Sequence, residues 1–365
     1  MNLPYNLQKF LGKLPARIKI DKQYIGHSEP VFVIAEAGIN HNGNLDIAKK
    51  LIDAASDAKA NAVKFQKRTT SAILTKEGLE KPYNSPNAFA PTYGEHRNAL
   101  EFGEIEYREL QAYAKNKNIL FFASVWDQHS ADFMERLDIA AYKIPSADVT
   151  NLPLLSYVAK KGRPILVSTG MSTEEEIEDA VNAILPYNNR LVLFQCVSMY
   201  PCTHDKLNIR YMDSLKKKYQ PLPVGYSGHE TDLLPTLVAV SRDAVIVERH
   251  LTLDKTMKGS DHAASLNPEE FKELVTSIRT IETILGENKR ILFPELQPLR
   301  EKLAKSIVST IAIPKGKRIT MDMLTMKGPG HGLPSSKMKL LINRIAQKDI
   351  PADVVLPSEV LEWPK

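Results

Sequence analysis

The stretch Val31-Phe-Val-Ile-Ala-Glu-Ala-Gly38 decides the fold prediction. Its apolar residues do not alternate with polar ones, which is typical of a strand buried on both faces of a parallel sheet. Its end lacks the Gly-x-Gly-x-x-Gly turn that follows the first strand of the commonest dinucleotide-binding sheets. Helix-period sequence follows at residues 45–58, with Asn44 as candidate N-cap. Residues 31–58 are therefore predicted to form one strand–helix unit.

The same unit recurs along the chain. Short runs rich in β-branched and aromatic residues, each bounded by Gly, Pro or polar clusters, occupy 31–35, 62–65, 119–123, 141–144, 165–167, 191–194, 224–226 and 244–247. Helix-period stretches include 107–117, 173–184 and 232–242. Eight strands alternating with helices predict an α/β fold, a closed (β/α)8 TIM barrel. An open doubly wound sheet is the alternative, and the missing glycine-rich turn favours the barrel.

The texture of the sequence changes after the last helical pattern, which spans residues 268–285. Residues 286–300 are irregular and contain prolines, as expected of a linker. Short segments separated by Pro and Gly follow to the C-terminus. The sequence thus predicts a barrel domain at 1–285, a linker at 286–300 and a small domain at 301–365.

Composition excludes several classes of protein. The chain has 365 residues, of which 43% are hydrophobic and 25% are charged, within the ordinary globular range. Its net charge of +5 is spread along the chain, and the tightest basic run, 216–218, is typical of a solvated helix face, so no nucleic-acid partner is predicted. Without a bilayer-length apolar run or a signal peptide, a cytoplasmic protein with no membrane partner is expected. Cys196 and Cys202 are expected to be reduced thiols.

Polar residues stand where the predicted strands end. In a TIM barrel these carboxyl-terminal ends converge on one mouth, where active sites are built. The residues at these positions are Glu36, Lys64, Gln66, Ser124, Trp126, Lys143, Ser146, Ser168, Thr169, Gln195, Ser198, Tyr200, Ser227, His229, Glu248, Arg249 and His250. A polar site at this mouth is therefore predicted.

Two lysines, Lys64 and Lys143, lie inside runs that otherwise favour burial. A buried ammonium group needs an anionic partner. That partner is either a barrel carboxylate, in a structural salt bridge, or the phosphate or carboxylate of a ligand whose remaining hydrogen bonds come from nearby hydroxyls. A Schiff-base lysine is a third interpretation.

Two histidines, His229 and His250, end consecutive predicted strands. Each alone is compatible with a structural role. Together, with Glu36 and Asp261 nearby, they can share one divalent ion and leave positions open for substrate. This arrangement suits a Mn²⁺-like or Mg²⁺-like catalytic ion better than a closed structural zinc site.

Taken together, these motifs resemble the N-acetylneuraminate (sialic acid) synthase family, from about residue 28 to the C-terminus. The segments that carry the resemblance are Ile34-Ala-Glu-Ala-Gly-Ile-Asn-His-Asn-Gly43, Val63-Lys-Phe-Gln66, Tyr142-Lys-Ile-Pro-Ser146, Ser168-Thr-Gly-Met171, Gly225-Tyr-Ser-Gly-His229, and Glu248-Arg-His250 followed by Gly259-Ser-Asp261.

The resemblance implies a TIM barrel followed by a C-terminal antifreeze-like (SAF) domain. It implies condensation of phosphoenolpyruvate with an N-acylmannosamine-type sugar, either N-acetylmannosamine or its 6-phosphate, and water. The products would be an N-acetylneuraminate-type nonulosonic acid and phosphate. The implied cofactor is a divalent metal, Mn²⁺ before Mg²⁺ or Co²⁺. The implied assembly is a domain-swapped homodimer in which each small domain covers the partner's barrel mouth.

The resemblance also implies roles for individual residues. His229 and His250 would be metal ligands, and with Glu36, Lys64 and Lys143 they form the predicted catalytic set. Glu36 is the candidate for proton transfer to the sugar. The predicted substrate-binding residues are Gln66, Ser146, Ser168, Thr169, Ser198, Tyr200, Ser227 and Asp261.

Some features leave the acceptor open. Many bacterial relatives have Arg before Pro-Gly-x-Gly in the small domain, reaching the partner's sugar site, where Gly328 stands here. Many also have Asn where Ser198 stands, a departure that concerns the phosphoenolpyruvate site. Thr92-Tyr-Gly-Glu-His-Arg97 looks like the animal-type members, some of which use a 6-phosphorylated sugar. Legionaminic and pseudaminic acid synthases are alternatives; the SAF-like segment counts against an octulosonate synthase. A non-enzymatic carbohydrate-binding protein would have lost the lysines and histidines that this chain retains.

Overall fold

The computed structural model describes residue 10 and residues 14–356. The predicted domain limits at residues 1 and 365 lie outside the described residues. The chain divides into two compact units, Met1–Gly286 and Glu287–Lys365.

The first unit contains a closed barrel of eight parallel strands in which neighbours in sequence are neighbours in space, and the last strand pairs with the first. The TIM-barrel prediction is confirmed, and the open-sheet alternative is wrong. The barrel strands are β3 (Phe32–Gly38), β4 (Ala62–Lys67), β5 (Leu120–Val125), β6 (Tyr142–Ile144), β7 (Ile165–Ser168), β8 (Leu191–Cys196), β9 (Val224–Gly228) and β10 (Ile246–His250).

Most barrel strands extend further toward the mouth than the apolar runs predicted. For example, β3 continues through Glu36 to Gly38, and β10 continues through Glu248 to His250. The backbone pairing continues where the side chains become polar. His250 and Glu36, for example, are still paired in register. This extension carries the polar side chains to the rim on rigid backbone.

The helices follow the predicted alternation. The Asn44 side chain caps the first of them, accepting hydrogen bonds from the backbone N–H groups of Asp46 and Ile47. The helix predicted at 268–285 is present with those bounds. The helices of the first unit are α1 (Leu45–Asp57), α2 (Thr70–Ile73), α3 (Lys76–Glu80), α4 (Tyr93–Ala99), α5 (Glu104–Asn116), α6 (Gln128–Arg136), α7 (Leu152–Lys160), α8 (Glu174–Ile184), α9 (Tyr211–Tyr219), α10 (Leu234–Ser241) and α11 (Pro268–Leu285).

Two features were not predicted from the sequence. An antiparallel hairpin of β1 (Arg17–Ile20) and β2 (Gln23–Gly26) precedes the barrel. The short helices α2, α3 and α4 are inserted between β4 and α5. Each is too short to establish a helical hydrophobic period, so the pattern gave no signal for them.

Strand-end residues do not all face the mouth. Arg249 is fully buried, and its Nη1 lies 2.9 Å from Oε1 of the equally buried Glu230. It also donates hydrogen bonds to the Thr236 hydroxyl and to the Asp232 carbonyl. Arg249 therefore anchors the loop after β9 and the start of α10, while its neighbours on β10 line the mouth.

The second unit contains an antiparallel pair, β11 (Ser306–Ser309) and β12 (Leu324–Lys327), over a small apolar core that includes Ile307, Ile313 and Ile319. A short helix, α13 (Met338–Leu341), packs on it. The predicted linker at 286–300 contains the beginning of helix α12 (Gln297–Leu303), whose proline lies in the first turn, a position compatible with a helix. Among the described residues, no helix is long and apolar enough to span a membrane.

Candidate active site

A cavity of about 190 Å³ opens at the carboxyl-terminal ends of the barrel strands. All the sequence-predicted site residues line it except Thr169 and Asp261. Its walls are formed by Glu36, Lys64, Gln66, Ser124, Trp126, Lys143, Pro145, Ser146, Ala147, Ser168, Met171, Cys196, Ser198, Tyr200, Ser227, His229, Glu248 and His250. Every barrel strand thus places at least one side chain in the same cavity.

The two lysines share one carboxylate partner, Glu248, in the cavity. Lys64 Nζ lies 2.6 Å from Oε2 of Glu36 and 3.5 Å from Oε1 of Glu248, and it donates a hydrogen bond to the Ser124 hydroxyl at 2.7 Å. Lys143 Nζ lies 3.4 Å from the same oxygen of Glu248. The salt-bridge interpretation is therefore correct for both lysines, and both also face the cavity.

Burial and neighbouring charges shift the pKa values of these carboxyl and ammonium groups in opposite directions. Burial raises the pKa of Glu36, and the nearby Lys64 offsets part of that effect. For Glu248, burial acts to raise the pKa, but the attraction of Lys143 and Lys64 prevails and lowers it. Burial lowers the pKa of Lys143, with Glu248 opposing. An anionic ligand would bind here by competing with carboxylates that already hold the ammonium groups.

Serine hydroxyls follow the lysines around the wall. Ser146 Oγ accepts a hydrogen bond from the Gly170 N–H at 3.0 Å. Ser168 Oγ is buried and has no hydrogen-bond partner. Its neighbour Thr169 points elsewhere, because its hydroxyl donates to the Phe194 carbonyl at 2.8 Å. Ser168 is thus free to bind a ligand, whereas Thr169 ties β7 to β8.

The two histidines, His229 and His250, meet at the same cavity. The ring centroids of His229 and His250 are 5.2 Å apart, and Tyr200 lies against both. His229 Nδ1 is 2.7 Å from the Val197 carbonyl, so Nδ1 carries a proton and donates it to that oxygen. His250 Nδ1 lies 3.7 Å from an Asp261 carboxylate oxygen. Asp261 therefore adjoins the site through His250.

The side chains at the cavity can supply only some of the ligands that a metal ion needs. Within residues 14–356, no group of three or more His, Cys, Asp or Glu side chains is arranged to hold an ion by itself. Two imidazoles remain, one oriented by a backbone carbonyl as metal-binding histidines usually are. Such a pair suits an ion whose other ligands are water and substrate oxygens.

Several cavity residues were missed as site residues. The sequence placed three of them, Glu248, Ser124 and Trp126, at strand ends but assigned them no function. The structure gives Glu248 one, because its carboxylate pairs with both Lys64 and Lys143. Cys196 was not predicted as a site residue because it follows an apolar strand run. Its Sγ lies 4.0 Å from Nδ1 of His229. Both Cys196 and Cys202 are free thiols, as expected.

The sequence also gave no indication of Arg68, which does not line the cavity but contacts the cavity residue Gln66. It is 4% exposed, donates to the Gln66 side-chain carbonyl and stacks 4.4 Å from the Trp126 ring centroid.

Comparison with known proteins adds independent findings. The model of the NeuB family matches residues 51–290, and that of the SAF domain matches residues 304–361. The N-acetylneuraminate-9-phosphate synthase of Homo sapiens is 39% identical over 93% of this chain and 95% of its own length. The N,N'-diacetyllegionaminic acid synthase of Legionella pneumophila is 36% identical over 92% and 96%. The N-acetylneuraminic acid synthetase structure from Leptospira borgpetersenii superposes with a TM-score of 0.70 at 34% identity, covering 78% and 95%.

Proposed function

The chain belongs to the NeuB family of sialic acid synthases, and on that premise we propose that it joins phosphoenolpyruvate to an N-acylmannosamine-type sugar. Water is consumed, and the products are an N-acetylneuraminate-type nonulosonic acid and phosphate. One observation carries the proposal: two lysines, five serines and two histidines line one cavity.

The lysine side of the cavity suits phosphoenolpyruvate. Lys64 and Lys143 supply positive charge, and the unpartnered hydroxyl of Ser168 offers a hydrogen bond to a phosphate or carboxylate oxygen. Ser146, Ser198 and Ser227 line the same cavity. Because these groups stand on strand ends, they hold the enol phosphate in a fixed orientation, and positioning of this kind contributes much of the rate.

The histidine side suits the acceptor sugar. His229 and His250 would hold a divalent ion, with Mn²⁺ proposed first. When bound, such an ion supplies Lewis-acid polarisation of the sugar's C1 carbonyl. The residues of the chain orient the rest of the acceptor: Gln66 and Tyr200 line the cavity, and Asp261 adjoins His250.

The bond changes balance as follows. Carbon 3 of phosphoenolpyruvate attacks C1 of the open-chain sugar, and the carbonyl oxygen takes a proton to become a hydroxyl. Water adds to the cationic C2 and loses a proton, and the tetrahedral intermediate then expels phosphate to leave a 2-keto acid. Glu36 is proposed to transfer the proton that the sugar oxygen receives, since it lines the cavity and accepts a hydrogen bond from the Gln66 amide at 2.9 Å.

The test is product identification. Purified protein is incubated with phosphoenolpyruvate, Mn²⁺ and either N-acetylmannosamine or its 6-phosphate, and the product is identified by mass. We expect phosphate release together with a sugar acid three carbons longer than the acceptor. Parallel reactions with the acceptors of legionaminic and pseudaminic acid synthases test the alternatives. No phosphate release with any acceptor would reject the proposal.

A further inference from the structure

A buried ion pair between Arg249 and Glu230 adjoins both histidines of the cavity. Arg249 directly precedes His250 in the chain, and Glu230 directly follows His229. Both side chains of the pair are 0% exposed, and Arg249 Nη1 lies 2.9 Å from Oε1 of Glu230. Neither residue lines the cavity. The proposed reaction therefore gives this pair no role, although each member is one peptide bond from a proposed metal ligand.

Arg249 holds the chain on both sides of His229. Its backbone is paired in register with Gly228, the residue before that histidine. Its side chain reaches the residue after the histidine, where Nη2 donates a hydrogen bond to the carbonyl of Glu230. Arg249 is also joined to His250 by its own peptide bond. A shift of this one residue would therefore move both imidazoles.

The carboxylate of Glu230 is fixed against the end of β9. It accepts hydrogen bonds from the hydroxyls of Tyr226 and Thr236, each at 3.0 Å, in addition to its contact with Arg249. It also folds back against Gly228, where a Cβ atom would lie 2.5 Å from Oε2 of Glu230, closer than two such atoms can approach. The absence of a side chain at Gly228 thus lets the carboxylate pack tightly against the strand.

Stability alone does not explain why such a pair is buried. Taking two charges out of water costs more free energy than many buried pairs regain, and apolar residues of similar volume often replace them without loss of stability. Removing only one partner is strongly destabilising, because the other charge then stays buried without compensation. The pair is better explained by what it orients, and here that is the chain on either side of His229.

We propose that Arg249 and Glu230 are positioning residues that hold His229 and His250 at the separation at which they share one divalent ion. The inference rests on the part of the proposed function that assigns the ion to these histidines. Their ring centroids are 5.2 Å apart. The Val197 carbonyl fixes the rotation of the His229 ring, and the ion pair fixes the backbone that carries it. Loss of contacts behind metal ligands weakens metal binding by about 10–100-fold.

The experiment measures Mn²⁺ binding to the full-length, metal-free protein by calorimetry, without substrates. Arg249→Lys keeps the positive charge but loses the planar fork that reaches the carboxylate and the carbonyl of Glu230 together. We expect this variant to bind Mn²⁺ about tenfold more weakly. Raising the Mn²⁺ concentration is expected to restore its phosphate release, which it would not do for a misfolded enzyme.

A second variant separates positioning from stability. The double substitution Arg249→Met with Glu230→Leu leaves neither charge of the pair buried without its partner, so we expect the protein to stay folded. Because the link across His229 is lost, Mn²⁺ is again expected to bind at least about tenfold more weakly. Circular dichroism and thermal melting verify that each variant is folded at the temperature of the titration.

Arg163→Lys is the matched control. Arg163 also contacts a carboxylate, that of Glu135 at 2.9 Å, and donates to a backbone carbonyl, that of Ile139 at 2.6 Å. It precedes β7 and so lies at the amino-terminal end of the barrel strands, away from the mouth. This variant is expected to bind Mn²⁺ as the natural sequence does.

Three outcomes would overturn the inference. Unchanged Mn²⁺ affinity in Arg249→Lys and in the double variant leaves the metal assignment and the proposed function intact but rejects the positioning role. An equal loss of affinity in Arg163→Lys also rejects that role, since it indicates a general loosening of the barrel. Absence of Mn²⁺ binding by the natural sequence rejects the inference together with the metal assignment, and product identification then decides separately whether the proposed reaction fails as well.

Discussion

The ammonium nitrogen of Lys64 lies 2.6 Å from a carboxylate oxygen of Glu36, and each side chain is only 2% exposed. Glu248 extends the contact to Lys143, so two cations and two carboxylates share the floor of one cavity. When both carboxyl groups are ionised, the formal charges of the four side chains cancel, which explains how the barrel mouth tolerates their burial. The same arrangement leaves cations in place for an anionic substrate.

Glu36→Gln tests whether this carboxyl group transfers a proton. We expect kcat to fall by about a hundredfold or more, because Gln cannot donate or accept the proton in the transition state. Lys64 keeps Glu248 and Ser124 as partners, so the fold should persist. Phosphate release at saturating substrates measures the effect, and thermal melting serves as the control. A change confined to KM of the sugar would show that Glu36 only orients a hydroxyl.

The neighbours Ser168 and Thr169 offer a matched pair. Ser168→Ala removes a buried hydroxyl without a partner, so we expect no loss of stability but a KM for phosphoenolpyruvate raised by about tenfold. Thr169→Val removes the hydrogen bond to Phe194, so we expect a loss of about 1 kcal/mol in the free energy of unfolding. Urea unfolding and steady-state kinetics on both variants decide. An unchanged KM in Ser168→Ala would remove this residue from the substrate site.

His250→Ala tests the metal assignment. We expect the variant to remain folded but to lose Mn²⁺ binding, measured by calorimetry. Phosphate release should be lost with it, because the only imidazole left of the proposed pair would be that of His229. His204→Ala is the control, since His204 is exposed and pairs with Asp232 outside the cavity. Full turnover by His250→Ala would refute the assignment of this residue as a metal ligand.

The barrel was predictable because its strands are buried on both faces and therefore stand out as apolar runs. The site was partly predictable, because strand-end polar residues must converge once the barrel closes. The sequence did not show which of these polar residues face the cavity. Arg249 and His250 are adjacent in the chain, yet only His250 lines the cavity. Alternation along β10 decides this, and its register cannot be read from a strand of five residues.

Contacts that depend on loops could not be predicted. Arg68 follows a strand end, and nothing in its local sequence indicates that it is buried against Trp126 or that Glu101, which follows the inserted helix α4, lies 3.5 Å from it. Such juxtapositions are set by tertiary packing of short helices whose sequences carry no periodic signal.

Asp148 provides a test of stability against pH. Burial raises its pKa to about 6, and Asp127 adds to that effect, while one carboxylate oxygen has no hydrogen-bond partner. The folded state therefore holds this proton more tightly than the unfolded state, and ionisation destabilises the fold above pH 6. The destabilisation disappears as pH falls below the unfolded-state pKa of about 4.

We therefore expect Asp148→Asn to increase the free energy of unfolding by about 1–2 kcal/mol at pH 8, with most of that gain absent at pH 4. Urea unfolding at the two pH values measures it. Asp205→Asn is the matched control: hydrogen bonds from Thr203 and Lys206 lower the pKa of Asp205, so its replacement should bring no gain at pH 8. A gain from Asp148→Asn that is equal at both pH values would mean that ionisation of this carboxyl group is not its cause.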